Sequence, residues 1–369
     1  MKINCNSKVL SDACLNVQRA VSVKSSMPTI EGILIKTVAQ GVELSGYDLE
    51  VGINTIIDAN IEEEGGIIIN AKTLCDIVRH LPGDRVTVTA DERNICNIVS
   101  GESKFSLIGI PAQEYPELPY VMGGIPIVLQ QTMLRDMVKQ TIFAVSVDDS
   151  RAVHRGIKFE ITAGEIKLIA IDGYRLAIRR EKIEYTGDDL TFIVPAKTLA
   201  EVIKFASDEN GYISMGLGKR HIVFSINGYN VVSRLLEGDF LDYRNAVPKE
   251  FTSSVRVKTR EMLESMDRMS LLIMEKIKSP LKCIMDDGMI KFSISTTLGS
   301  ANDTVTAQTQ GDRVEIGFNS RFLTDAFRAC ETDEAIVKLN GPVSPVCIIP
   351  VEGDSFLYLV LPVRLKNDN

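Results

Sequence analysis

Lys72-Thr-Leu-Cys-Asp-Ile-Val-Arg79, Lys197-Thr-Leu-Ala-Glu-Val-Ile-Lys204 and Arg321-Phe-Leu-Thr-Asp-Ala-Phe-Arg328 are one pattern written three times: basic, any residue, Leu, small, acidic, apolar, apolar, basic. Their starts lie 125 and 124 residues apart. Each follows a strand-like run, GGIIINA, TFIVPA or VEIGFNS. A second set of segments, DACLNVQRAVS (12–22), TMLRDMVKQTIFAVS (132–146) and TREMLESMDRMSLLI (259–273), opens each third with apolar residues at helical spacing. Strand pairs with polar turns fill the rest, as in VELSGYDLEVGI, EIKLIAIDGYRLAI and GMIKFSISTT. A repeat of this length fixes the architecture before any single motif does.

The expected fold is therefore α+β: three homologous units of about 120 residues, each with two helices and antiparallel sheets. Boundaries are expected near Pro119–Gly124 and Val247–Thr252, where Pro, Gly and polar residues interrupt the patterns. The domains then run 1–121, 126–247 and 248–369. The N-terminus has no basic head followed by a long apolar run, and no stretch approaches the roughly 20 apolar residues of a membrane helix, so a soluble, cytoplasmic protein is expected. Seven cysteines are scattered without a C-x-x-C pair, which points to neither a disulfide framework nor a zinc site.

The net charge of −8 argues at first against nucleic acid. Its distribution argues otherwise. On a helix, residues seven apart differ by about 20° in direction, so the two basic ends of each octapeptide share a face. The six helical segments together carry +6, which leaves −14 on the rest of the chain. Such a protein meets phosphate with one surface and repels it with the others, without reading sequence. Trp is absent and no recognition-helix or zinc-finger spacing is present, so base-specific binding has no support.

No catalytic or metal constellation stands out. His80, His154 and His221 sit in no nucleophile or metal motif and read as surface or packed residues. In Gly216-Leu-Gly-Lys219-Arg220 the phosphate-loop pattern fails, because Ile213 stands where Gly is required and Arg220 where Ser or Thr is. That stretch reads as a turn. Asp148-Asp149 and Asp188-Asp189 read as loop tips.

Over its whole length the chain resembles the beta subunit of bacterial DNA polymerase III, the sliding clamp family. The residues that carry the likeness are MPTIEGILI (27–35), LSGYDLEVGI (44–53), KFSLIGIPAQEYPELP (104–119), AIDGYRLA (170–177), DFLDYRNAVP (239–248), IGFNSRFL (316–323) and GPVSPVCIIP (341–350). The resemblance implies three tandem domains of the DNA-clamp fold and a head-to-tail homodimer forming a six-domain ring around duplex DNA. It implies a processivity factor with no catalytic site, metal or cofactor of its own. Its partners would be double-stranded DNA, a second copy, the replicative polymerase alpha subunit, the clamp loader and other proteins bearing a clamp-binding motif, with no membrane.

By the same resemblance, DNA contacts fall on Lys24, Lys72, Arg151 and Lys197, and the other helix bases, Arg79 and Lys204 among them, join the expected DNA-binding set by adding to the field. The dimer contact falls on Phe105 and Leu107 against Leu271 and Leu272. A pocket for a short, mostly hydrophobic partner peptide maps to His154, Ile171, Gly173, Tyr174, Arg175, Leu176, Leu241, Asn245, Ala246, Leu359, Leu361, Pro362, Val363 and Arg364. Arg175 and Arg364 are expected there as polar anchors at the edge. The chain departs from the family at His154, where Leu is usual, and at Phe240-Leu241-Asp242-Tyr243, where FPDY is usual. It departs again over Met274 to Cys283, and in the extension Lys366-Asn-Asp-Asn369 beyond the common Arg-Leu terminus. Two other readings remain: an enzyme using Asp172, Arg175 and Asp148 in a cleft between repeats, and a triplicated protein-binding scaffold indifferent to DNA.

Overall fold

The computed structural model describes residues 1–121, 126–148, 151–207, 209–273 and 280–365. Residues 122–124 of the first expected boundary, Asp149, the stretch 274–279 and the extension 366–369 lie outside the described residues.

Among the described residues are six α-helices: α1 Ser7–Val17, α2 Ala71–Arg79, α3 Gln131–Lys139, α4 Ala196–Phe205, α5 Thr259–Ser270 and α6 Ser320–Arg328. Two fall in each third of the chain. The octapeptides fill α2, α4 and α6 because one face of each is apolar. In α2, Ala71, Leu74, Cys75 and Val78 are buried, while Lys72, Asp76 and Arg79 are exposed. Full burial of side chains such as Leu74 and Val78 contributes about 1.5–3 kcal/mol apiece. Asn70 and Asn319 cap α2 and α6 by accepting the N–H groups of Thr73 and Arg321, both at 3.1 Å.

The other three helices differ from expectation at their ends. The helix expected at 12–22 starts at Ser7, where the Asn6 side chain accepts the N–H groups of Lys8 and Val9, and it stops at Val17. The helix expected at 132–146 stops at Lys139. The Thr141 hydroxyl donates back to the Met137 carbonyl at 2.8 Å, and a separate 3₁₀ turn follows at Ile142–Ala144. The third stops at Ser270, short of Leu271 and Leu272. GMIKFSISTT is a single strand, Met289–Thr296, paired with the long strand Gly299–Gln310.

The chain gathers into two compact units, Met1–Thr132 with Lys197–Leu235 and Met133–Ala196 with Leu236–Asn369. Strands in both units alternate, as in Met289–Thr296, where Ile290, Phe292 and Ile294 are buried between solvent-facing neighbours. The first unit holds a five-stranded sheet and a nine-stranded sheet; in the latter, Val51–Ile57 pairs antiparallel with Tyr229–Arg234. The second unit holds a twelve-stranded arrangement in which Arg175–Lys182 pairs with Phe356–Val360. Each of these pairings joins strands from successive thirds of the sequence.

The two junctions share a turn. Asp48 accepts the N–H groups of Glu50 and Val51 at 3.0 and 2.8 Å, and Asp172 accepts those of Tyr174 and Arg175 at 2.9 and 3.0 Å. Leu49 and Gly173 both take positive φ, 75° and 90°. Gly is at ease there and Leu is strained, so the first copy holds by its hydrogen bonds a conformation the second adopts freely.

Candidate nucleic-acid surface and partner groove

All six expected phosphate contacts, Lys24, Lys72, Arg79, Arg151, Lys197 and Lys204, are solvent-exposed. They are not equally free. Lys72 and Arg79 have no ion pair among the described residues, whereas Lys204 donates to Glu201 at 2.7 Å and Lys197 to the Asp48 carboxylate at 2.5 Å. The acidic position of the octapeptide also behaves differently in each copy. Asp325 on α6 lies 3.9 Å from Arg321 and from Arg328, but its shortest contact is to Arg175 at 2.7 Å.

That contact lies among the residues expected to form the peptide groove. Arg175 donates through Nε to Asp172 at 3.0 Å and through Nη1 to Asp325, with its guanidinium 4.5 Å from the Phe322 ring centre and 5.5 Å from that of Phe143. It is only 9% exposed, so it is not the free polar anchor expected at the rim: both carboxylates and both rings already occupy it. Ile171, Leu176 and Leu359 are buried in one apolar cluster with Ile169, Ile178, Tyr243 and Cys347, and Leu361 packs against it. The exposed rim comprises Gly173, Tyr174, Leu241, Asn245, Ala246, Val363 and Arg364, with Pro362 half-buried.

Local chemistry explains this shape. The Leu361 N–H reaches the Tyr174 carbonyl at 2.9 Å, Pro362 has no N–H to give, and the Val363 N–H turns to the Gly317 carbonyl at 2.9 Å. A Cβ on Gly317 would sit 2.7 Å from the Val363 carbonyl oxygen, so the terminal segment can cross only over glycine. Asp242 accepts from the Arg244 N–H and from Asn245 Nδ2, which sets the facing loop. Beneath it the Tyr243 hydroxyl donates to Glu160 at 3.0 Å. Burial pushes the Glu160 carboxyl up, but the Lys158 hydrogen bond and charge, with the Tyr243 hydroxyl, outweigh it and hold Glu160 below the usual carboxylate range.

His154 is buried at 5% exposure, its ring edge-on to Phe240 at 5.5 Å. Its Nε2 has no hydrogen-bond partner among the described residues. Burial, and then the Arg151 charge, lower its pKa against an opposing pull from Asp172, so the imidazole is kept neutral. Phe322, Phe143 and Asp325 were missed by sequence reasoning. Phe322 and Asp325 lie inside an octapeptide, at its unspecified and its acidic position, and neither position marks a contact outside the helix.

The three repeats correspond to three family models. The family models for the N-terminal, central and C-terminal domains of the DNA polymerase III beta subunit match residues 1–119, 128–242 and 244–364. The chain belongs to the DNA polymerase III beta subunit family, the sliding clamps. It is similar to the beta sliding clamp of Halalkalibacterium halodurans, 30% identical over 95% of this chain and 96% of that one, and to that of Staphylococcus aureus, 31% identical over 94% of each. Its fold superposes on the sliding clamp of Bacillus subtilis with a TM-score of 0.97 at 27% identity, covering 99% of this chain and 100% of that one. A DNA polymerase III beta subunit structure from Eubacterium rectale superposes at 0.96 with 34% identity, covering 98% and 99%. A sliding clamp is a processivity subunit of the replicative polymerase and carries out no catalysis itself.

Among the described residues of this clamp chain no group of His, Cys, Asp or Glu is placed to hold a metal. No helix among them is long and apolar enough to cross a membrane. All seven thiols are buried, and burial pushes their pKa values up, to about 11 for Cys5, Cys75 and Cys96. Of the Gly216–Arg220 stretch, Gly216 and Leu217 end the strand Tyr212–Leu217, and only residues 218–220 turn into His221–Ile226, closed by the Gly218 N–H on the His221 carbonyl at 2.8 Å. Asp188 and Asp189 are exposed, as expected of a loop tip.

Of the strand segments that lack a partner on one side among the described residues, two bear on the expected dimer contact. Ser103–Ile108, which carries the half-buried Phe105 and Leu107, pairs only with Ile95–Ser100. In Gly299–Gln310, residues 299–306 pair with Met289–Thr296 and only 307–310 go on to pair with Ser253–Lys258. Asp303 on this second edge accepts from Ser265 and Arg268, both on α5, whose C-terminal cap is Leu271, 81% exposed. Leu272 is half-buried. The second edge, with its mostly polar sequence, was not anticipated.

Proposed function

We propose that two copies of this chain close head to tail into a six-domain ring that encircles duplex DNA and tethers the replicative polymerase. In this reading the domains run 1–121, 126–247 and 248–369. Ser103–Ile108 of one copy adds to the free edge at 299–306 of the other, with Phe105 and Leu107 meeting Leu271 and Leu272. A contact of that kind is heterologous, and it forms a closed ring only because its rotation closes. Lys24, Lys72, Arg79, Arg151, Lys197 and Lys204 attract phosphate loosely, so the ring slides. The observation that carries the reading is the exposed basic pair repeated on helices α2 and α4 of a chain whose net charge is −8.

The groove around Leu176, Leu359 and Val363 takes a short, mostly hydrophobic peptide from the polymerase alpha subunit, the clamp loader and other partners. The protein works in the cytoplasm. It needs no cofactor of its own, because the ATP that opens such rings is hydrolysed by the loader. The test is light scattering on the purified protein, then its retention on nicked circular DNA, loaded with the cognate loader and ATP, before and after linearisation. A dimer retained on circles and lost when they are cut supports encirclement. Equal retention on both forms, or a stable monomer, overturns it.

A further inference from the structure

The first unit holds a cleft of about 1000 Å³ on the nine-stranded sheet, and none of the groove residues above lines it. It lies at the junction where Val51–Ile57 pairs with Tyr229–Arg234, the counterpart of the junction beneath the groove. The shared turn sets the correspondence between the two. Tyr47 closes on Gly52 as Ile171 closes on Leu176, and Asn54 faces Asn230 across the strands as Ile178 faces Leu357. Ser45, Asn54 and Asn230 therefore stand where the other junction has Ile169, Ile178 and Leu357. An apolar cluster in one copy has become a polar floor in the other.

That floor is arranged around a carboxylate. Glu43 Oε1 accepts from Asn54 Nδ2 at 2.8 Å and from Ser45 Oγ at 3.3 Å. Asn54 Oδ1 is buried and has no partner among the described residues. Glu64 and Glu117 add negative charge to the lining against one cation, Lys36. Leu118, Pro119, Val223 and Val232 supply apolar wall, and Tyr120 lines the cleft at 83% exposure, the kind of aromatic that anchors a partner.

We propose that this cleft is a second docking site, for a peptide segment of a partner protein that presents one arginine among apolar residues. The guanidinium donates to Glu43, whose carboxylate the Asn54 amide holds in place, and the flanking apolar side chains lie against Leu118, Val232 and Tyr120. The cleft is at the upper end of the roughly 300–1000 Å³ of ordinary ligand sites, room for several side chains.

The test is fluorescence anisotropy on the full chain with a labelled octapeptide bearing one arginine between leucines. The comparisons are the same peptide with citrulline, which keeps the shape and loses the charge, and free N-acetylarginine amide. The expected result is saturable binding that weakens about tenfold or more with citrulline, with Glu43→Gln and with Asn54→Ile, with unfolding midpoints tracked for each variant. Val363→Asp, which disables the other groove, is expected to leave this binding unchanged. The proposal is overturned by equal binding of citrulline peptide, by wild-type affinity in both cleft variants, by loss of binding in Val363→Asp, or by no saturation up to about 1 mM. N-acetylarginine amide binding as tightly as the peptide would also overturn it, in favour of a small-cation site.

Discussion

Arg175 Nη1 stands 2.7 Å from the carboxylate of Asp325, tying a turn of the second repeat to helix α6 of the third. The two side chains are 9% and 19% exposed, and Asp172 shares the same guanidinium from the other side. Removing the arginine would leave two carboxylates close together with little water to screen them.

Arg175→Ala is therefore expected to destabilise the second unit by about 3–5 kcal/mol. Arg175→Lys should recover only part of this, because an ammonium lacks the planar guanidinium that lies over the Phe322 ring while its edge donates to both carboxylates. Urea unfolding gives the ranking. A midpoint for the alanine variant equal to wild type would show that the cluster is not a stabilising one.

His154 sets a pH dependence whose sign follows from its lowered pKa. In the unfolded chain the imidazole takes a proton near its ordinary 6.5, and in the fold only at lower pH. Stability is thus fully present above about 6.5 and falls as pH drops through the interval down to the folded value. His221, also lowered by burial, adds to the same slope. His154→Leu should flatten part of that slope. It should also raise stability at neutral pH by about 1–3 kcal/mol, because an unpaired buried nitrogen is removed. An unaltered acid slope in this variant would refute the assignment.

Lys197 and Lys72 should contribute differently to DNA affinity. Lys72→Ala is expected to reduce the slope of log affinity against log salt on linear duplex by about 0.9, one phosphate contact. Asp48→Asn should do the opposite. The amide oxygen can still accept the Glu50 and Val51 N–H groups and keep the turn, while Lys197 is freed from its 2.5 Å partner. Identical slopes for Asp48→Asn and wild type would mean that the Asp48 pair does not restrain Lys197.

Leu107→Asp and Leu271→Asp are each expected to shift light scattering from dimer to monomer, since truncating a central interface residue costs about 2 kcal/mol or more and a charge there costs further. A dimer that survives both substitutions places the contact elsewhere.

Much of the fold is legible in the octapeptides. Their spans differ by one residue at most from the ends of α2, α4 and α6, because a strong apolar face specifies a helix locally. The ends of α1 and α3 were not legible, since Asn6 and Thr141 act through hydrogen bonds that apolar spacing does not report. The strand Gly299–Gln310 escaped for a related reason: its two most buried apolar positions are Val305 and Ala307, too few for an alternating pattern. At the candidate groove the resemblance named Ile171, Leu176, Leu359 and Leu361, all four of which belong to or pack on one apolar cluster. The position of Arg175 was not legible, because an arginine is ordinarily exposed, and burial becomes tolerable only when Asp325 and Phe322, about 150 residues on, join the neighbouring Asp172 around it.

The middle third of the sequence is divided between the two compact units, 133–196 going to one and 197–235 to the other, because each outer repeat captures a strand of it. What was copied at the level of the gene is thus out of phase with what holds together as a solid. Excising the middle repeat at its sequence borders would yield a fragment stripped of both neighbours, with two raw sheet margins and no intact half. Deletion of any one copy would damage the next, so triplication of this kind is easier to acquire than to reverse.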